Sequence, residues 1–241
     1  MLIDSVDARH SVKDFILQQG FPCAGARTAL NKKQITVRLF SSLTDERENP
    51  DILDQIYRFI EQFDIRQHMF SSLVLAFDTP DDCSEREYEK MLWNKLQQLH
   101  DIDIALHSWD DSVSYNPEKP DFGYSLGGKA FFVICLNPAS KRKSRRFHSP
   151  AIVLNLHQQF EQLRDEGKFE AFRDHIRKKD AEFNGKPNPM LKNHGTDSEA
   201  RQYSGRLLEG NWQCPFNFRK DKLSPFKTSY QKETMNTFQL N

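Results

Sequence analysis

Along this chain the spacing of apolar residues switches between two periods, and the switches mark the elements. Ile35-Thr36-Val37-Arg38-Leu39-Phe40 alternates and is rich in β-branched residues, which predicts a strand. Asn49-Pro50 offers an N-cap and a proline suited to the first helical position. Leu53, Ile56, Tyr57, Ile60 and Phe63 follow at helical spacing. Residues 70–77, Phe-Ser-Ser-Leu-Val-Leu-Ala-Phe, read as a buried strand. Ser84 and Glu87 then make a capping box ahead of a stripe of Tyr88, Met91, Leu92, Leu96 and Leu99. Residues 129–136 and 151–156 read as two further strands. Helical stretches with Phe160 and Leu163, then Phe169, Phe172, Ile176 and Phe183, lie on either side of Gly167.

The resulting order is strand, helix, strand, helix, strand, strand, helix, preceded by a helical lead-in that contains Cys23. It predicts an α/β or α+β domain with a mixed sheet of four or more strands flanked by helices. Residues 108–128 are rich in Asp, Ser, Pro and Gly and read as a long loop, a length that in compact domains is functional or disordered. A single domain is expected over residues 1–217. Residues 218–241, polar and basic with little apolar periodicity, are expected to form a mobile tail.

Composition removes several function classes. Lys plus Arg equals Asp plus Glu at 34 each, so global charge gives no argument for nucleic acid or an anionic membrane. No apolar run approaches the roughly 20 residues needed to span a bilayer, and the start of the chain lacks a basic signal-peptide region. A cytoplasmic protein is therefore expected. Cys23, Cys83, Cys135 and Cys214 are widely spaced with no C-x-x-C pair, which weakens a disulfide framework or a zinc ribbon. The chain also lacks a phosphate loop, a G-x-G-x-x-G turn, H-E-x-x-H and G-x-S-x-G.

Candidate chemistry concentrates in a few segments. In Phe21-Pro22-Cys23-Ala24-Gly25-Ala26-Arg27 a cysteine stands where a short helix would begin. Backbone N–H groups and the helix dipole there favour the thiolate, and Arg27 one turn later adds charge. The same residue also reads as a small hydrophobe in a tight turn. In residues 155–164 a strand hands over to a helix at His157, and Glu161 and Arg164 follow one and two turns on, as a ligand-orienting row or a solvated ion-pair row. Lys141-Arg142-Lys143-Ser144-Arg145-Arg146 is a basic run suited to a phosphate, a propionate or a nucleic-acid backbone, or simply a solvated loop. It has little aromatic interleaving. Residues 198–206 are dense in polar groups, and Asn211-Trp212-Gln213-Cys214-Pro215-Phe216 pairs two aromatics with a second proline-flanked cysteine.

Taken together, Phe21-Pro22-Cys23, Asn137-Pro138, residues 155–164, Asn188-Pro189-Met190-Leu191, residues 198–205 and Trp212-Gln213-Cys214-Pro215-Phe216 resemble the YqcI/YcgG family. Haem-dependent guanidino N-hydroxylases of the guanitoxin and D-cycloserine pathways resemble that family too. The resemblance implies haem, oxygen-dependent hydroxylation of a guanidino or amino nitrogen on a small molecule, and a separate electron donor. On ligand chemistry Cys23 is the first choice of axial ligand, His157 the second and His194 the third. Glu161 and Glu199 are the carboxylates for a cationic substrate. Arg145 and Arg146 are candidates for the haem propionates, and Trp212 for a pocket wall. Two other readings stand beside this one: a binding or regulatory module acting through the 141–146 loop, and a metal site joining Cys23 and Cys214 with His157 or His194.

Overall fold

In the computed structural model, which describes residues 5–78, 83–193 and 195–219, alternation along the strands sorts the apolar side chains into two cores. The elements are α1 (Ser5–Leu17), α2 (Ala24–Asn31), β1 (Ile35–Ser42), α3 (Asn49–Glu61), β2 (Ser72–Asp78), α4 (Glu85–Asp103), β3 (Tyr124–Leu126), β4 (Lys129–Leu136), β5 (Ala151–Leu156), α5 (His157–Asp165), α6 (Phe169–Asn184) and α7 (Ala200–Tyr203). The strands form one sheet in the order β1-β2-β5-β4-β3. Only β1 and β2 run parallel; the other neighbours are antiparallel. The architecture is a single α+β domain with a mixed five-stranded sheet and, among the described residues, seven α-helices.

Register explains the two cores. Leu73 pairs with Leu154, which pairs with Val133, and all three belong to the larger core under α3 and α4. One residue along, Val74 pairs with Val153 and Val153 with Ile134, on the opposite face. A period of two allows nothing else. On the first face Leu92, Leu96 and Leu99 of α4 are fully buried with Trp93, as the stripe predicts, and Ser84 closes both hydrogen bonds of its capping box. Burying each such leucine stabilises by about 1.5–3 kcal/mol.

Three expectations change. Residues 108–128 are not all loop. Tyr124–Leu126 form β3, turned into β4 by Gly127 and Gly128, whose φ angles of 59° and 69° suit a two-residue hairpin turn. Asn49 does not cap α3, because a 3₁₀ turn at Glu46–Glu48 already leads into it. Its side chain instead accepts from the buried Lys95 Nζ at 2.6 Å. At the far end Phe218 stacks on Tyr115, with ring centroids 4.3 Å apart, and Arg219 pairs with Asp101. Packing therefore runs through 219; the rest of the expected tail, 220–241, lies outside the described residues.

Candidate functional site

The second face of the sheet is roofed by two separate helix pairs, α1 with α2 and α5 with α6. Between roof and sheet lies a cavity of about 340 Å³. Its floor is Ile35, Val74, Ile134 and Val153, and its walls carry Phe21, Phe70, Phe132, Phe160 and Phe172. The polar groups of the floor are satisfied internally. Ser72 Oγ donates to Asn155 Oδ1 at 2.7 Å, and the Gln159 side chain both accepts from Ser71 N and donates to Ser71 O at 2.8 Å. Those bonds fasten α5 beside β2 and leave an apolar chamber of the size that holds small molecules and cofactors.

Cys23 lines this chamber as the N-cap of α2. Its backbone is extended, and its sulfur accepts from Ala26 N at 3.3 Å. The small residues after it have a packing reason: a Cβ on Gly25 would lie 3.2 Å from Phe172 and 3.5 Å from Phe70, two rings stacked 5.5 Å apart. Burial pushes the Cys23 thiol above its ordinary value. The N–H groups of Ala26 and Gly25 and the charge of Arg145 pull it back only in part. Arg27 turns away to donate to Gln18 O at 2.8 Å, so the cation acting on Cys23 comes from the basic run.

That run is solvated only in part: Lys141, Lys143 and Arg146 are exposed, whereas Arg142 and Arg145 turn inward. Arg142 is ion-paired with the buried Asp180 of α6, which also accepts from Ser144 Oγ at 2.8 Å. Arg145 points inward, lines the cavity and donates to the carbonyls of Cys135, Tyr203 and Gln202. Gly205 stands against its stem, where a Cβ would come within 3.1 Å. No carboxylate of the described residues pairs with Arg145, and burial lowers its pKa while leaving it a cation. Arg146 remains exposed and is tied to Ser140 O, away from the cavity.

Of the two candidate carboxylates, Glu199 lines the cavity and Glu161 does not; Glu161 is exposed and paired with Arg164. His157 is not on the wall either. It lies behind Glu199, with Nε2 2.9 Å from Oε2. Trp212 and Cys214 pack with the core on the other face, so Trp212 is no wall of this chamber and Cys214 does not meet Cys23. His194 lies outside the described residues. Among the described residues no group of three His, Cys, Asp or Glu could hold a metal by itself. Cys23, Arg145 and Glu199, far apart in sequence, thus share one chamber, with His157 one hydrogen bond away.

Arg173, Arg177 and Asp180 also line the cavity and escaped the sequence reading. The signal was present: 169, 172, 173, 176, 177 and 180 fall on one face of α6. Counting only the apolar members of that stripe hid the cations between them. Lys192 adds a further positive charge to the lining, from the segment after α6.

A sequence model of the YqcI/YcgG family matches residues 12–217, which takes in every residue of this chamber. The chain belongs to the YqcI/YcgG family. It is 29% identical over 209 residues to the "Uncharacterized protein YqcI" of Bacillus subtilis (strain 168), covering 81% of this chain and 80% of that protein. It is 26% identical over 219 residues to the "Uncharacterized protein YcgG" of the same organism, covering 86% and 85%. No solved structure matches. In this YqcI/YcgG chain no described helix is long and apolar enough to cross a membrane.

Proposed function

We propose that this protein is a haem-dependent oxygenase that hydroxylates a nitrogen of a small amino or guanidino compound, with Cys23 as the iron ligand. The observation that carries the reading is the cysteine sulfur held at a helix N-terminus on the wall of an apolar, aromatic-lined cavity. The lining fits a flat macrocycle with acidic edges in three respects. Phe70, Phe132 and Phe172 offer apolar surface, Cys23 offers a soft donor, and Arg145, Arg173, Arg177 and Lys192 offer partners for carboxylates. When bound, the haem would supply oxygen activation, and a cysteine ligand favours O–O cleavage.

The chain's own residues account for the rest. Burial holds Cys23 as a thiol, and coordination to the iron would displace its proton. Arg145 sets positive charge beside the sulfur. Glu199, hydrogen-bonded to His157, is a carboxylate of the wall and is assigned to the cationic nitrogen, whereas Glu161 lies at the surface with Arg164 and does not line the cavity. Electrons come from a separate donor protein. The four cysteines are free, which suits a reducing compartment such as the cytoplasm.

An absorption spectrum of the purified protein supplied with haem tests the reading. The expected result is one haem per chain and a ferrous–CO band far to the red of that given by a histidine ligand, with Cys23→Ala abolishing the displacement. Failure to bind haem stoichiometrically overturns it.

A further inference from the structure

His157 has no place on the cavity wall, yet the fold goes to some length to seat it. It opens α5, is 7% exposed, and presents Nε2 to Glu199 Oε2 at 2.9 Å. Gly123 makes its space: a Cβ there would stand 2.7 Å from His157 Cε1 and 2.9 Å from Val113 Cγ1. The ring therefore lies between the cavity-lining carboxylate and the 110–121 segment, most of which is exposed. His157 Nδ1 has no hydrogen-bond partner among the described residues. Beyond Glu199 stands Tyr203, fully buried; burial first, then the charge of Glu199, raises its phenol far above the ordinary value, so it stays protonated.

We propose that His157 and Glu199 form a proton relay into the cavity, His157 taking up protons on its outer side and Glu199 presenting them at the wall. The inference rests on the oxygenase reading given above. That reaction joins a substrate N–H with O₂, two protons and two electrons from a one-electron donor protein, and yields N–OH and water. Two protons must therefore enter a chamber whose walls are mostly apolar. For each, Nδ1 gains a proton from water while Nε2 gives its own to Oε2. Glu199 then releases that proton to the oxygen being reduced, and the ring returns to its first tautomer by exchange with water. Glu199 is the catalytic residue of the pair and His157 the positioning residue that reloads it.

The test needs no substrate. Haem-loaded wild type, Glu199→Gln, Glu199→Ala, His157→Asn and the Glu199→Gln/His157→Asn double variant are given O₂ and ascorbate with a redox mediator, and oxygen consumption is followed. All are expected to bind haem as the wild type does. Glu199→Gln and His157→Asn should each fall at least tenfold with an altered solvent deuterium isotope effect. The double variant should be no slower than the slower single one, and acetate should restore Glu199→Ala. Wild-type rates with haem bound, additive losses, or no rescue by acetate overturn the relay. A second readout uses the haem-free chain. A His157 ring N–H resonance should be visible by ¹⁵N NMR, persist in Glu199→Gln and vanish in Glu199→Ala. Its absence from the wild type, or its survival in Glu199→Ala, breaks the link. Absence of haem binding sinks the oxygenase reading instead, while the resonance still reports on the pair.

Discussion

At Cys23 two opposing influences meet, and their order decides how the free protein behaves. The N-terminal amides of α2 and the charge of Arg145 favour the thiolate, but burial outweighs them and the sulfur keeps its proton. Alkylation of Cys23 in the protein as purified is therefore expected to be slower at pH 7 than that of an exposed thiol. It should accelerate as pH rises, and Arg145→Met should slow it further. Peptide mass spectrometry after iodoacetamide treatment measures this, and fast alkylation at pH 7 in the protein as purified contradicts it. The sequence showed the helix start but not the depth of burial. It also pointed to Arg27, the near neighbour, where the fold supplies Arg145 from the loop before β5.

Elements announced by a full period were legible in the chain. The β4 and β5 runs and the α4 stripe needed only local information, because an apolar run of strand length, a helical stripe and a capping box are local properties. The three-residue β3 was too short to show a period, although the Gly-Gly turn beside it was a usable hairpin signal. The packing of residues 218 and 219, expected as part of the tail, was hidden for a different reason, since the order of this end of the chain comes from tertiary contacts. Asn217 exchanges two hydrogen bonds with Gln97, and Arg219 N donates to His100 Nε2 at 3.2 Å. His100 is fully buried among Trp109, Phe216 and Phe218, and burial lowers its pKa from 6.5 to about 4. The folded state thus resists a proton that the unfolded chain accepts. Stability is full above pH 6.5, declines as pH falls towards 4 and levels off below, a loss of about 3 kcal/mol. Denaturant midpoints measured across that range should follow this slope, and His100→Gln should flatten it.

For the molecule as a whole, the sheet divides labour between its faces. One carries the larger core, with Trp93, Phe216 and Trp212; the other carries a smaller core and the chamber. Phe216→Ala is expected to cost about 3–5 kcal/mol, lowering the urea midpoint while leaving ligand affinity of the folded protein unchanged. A parallel loss of affinity measured well below the melting temperature would show that the faces are coupled. The fold class followed from element order, but the joining of Cys23, Arg145 and Glu199 did not, because strand order β1-β2-β5-β4-β3 is a long-range fact with no local signature.

The lining of the chamber is drawn from Val12 at one extreme and Gln202 at the other. A ribosome making this chain releases Cys23 long before it has synthesised the carboxylate and guanidinium groups that share its chamber. Early in its life the protein thus carries Cys23 without the burial that raises its pKa and without the Arg145 charge that opposes it. The chamber acquires its full lining only after the C-terminal third of the chain has folded back onto the sheet.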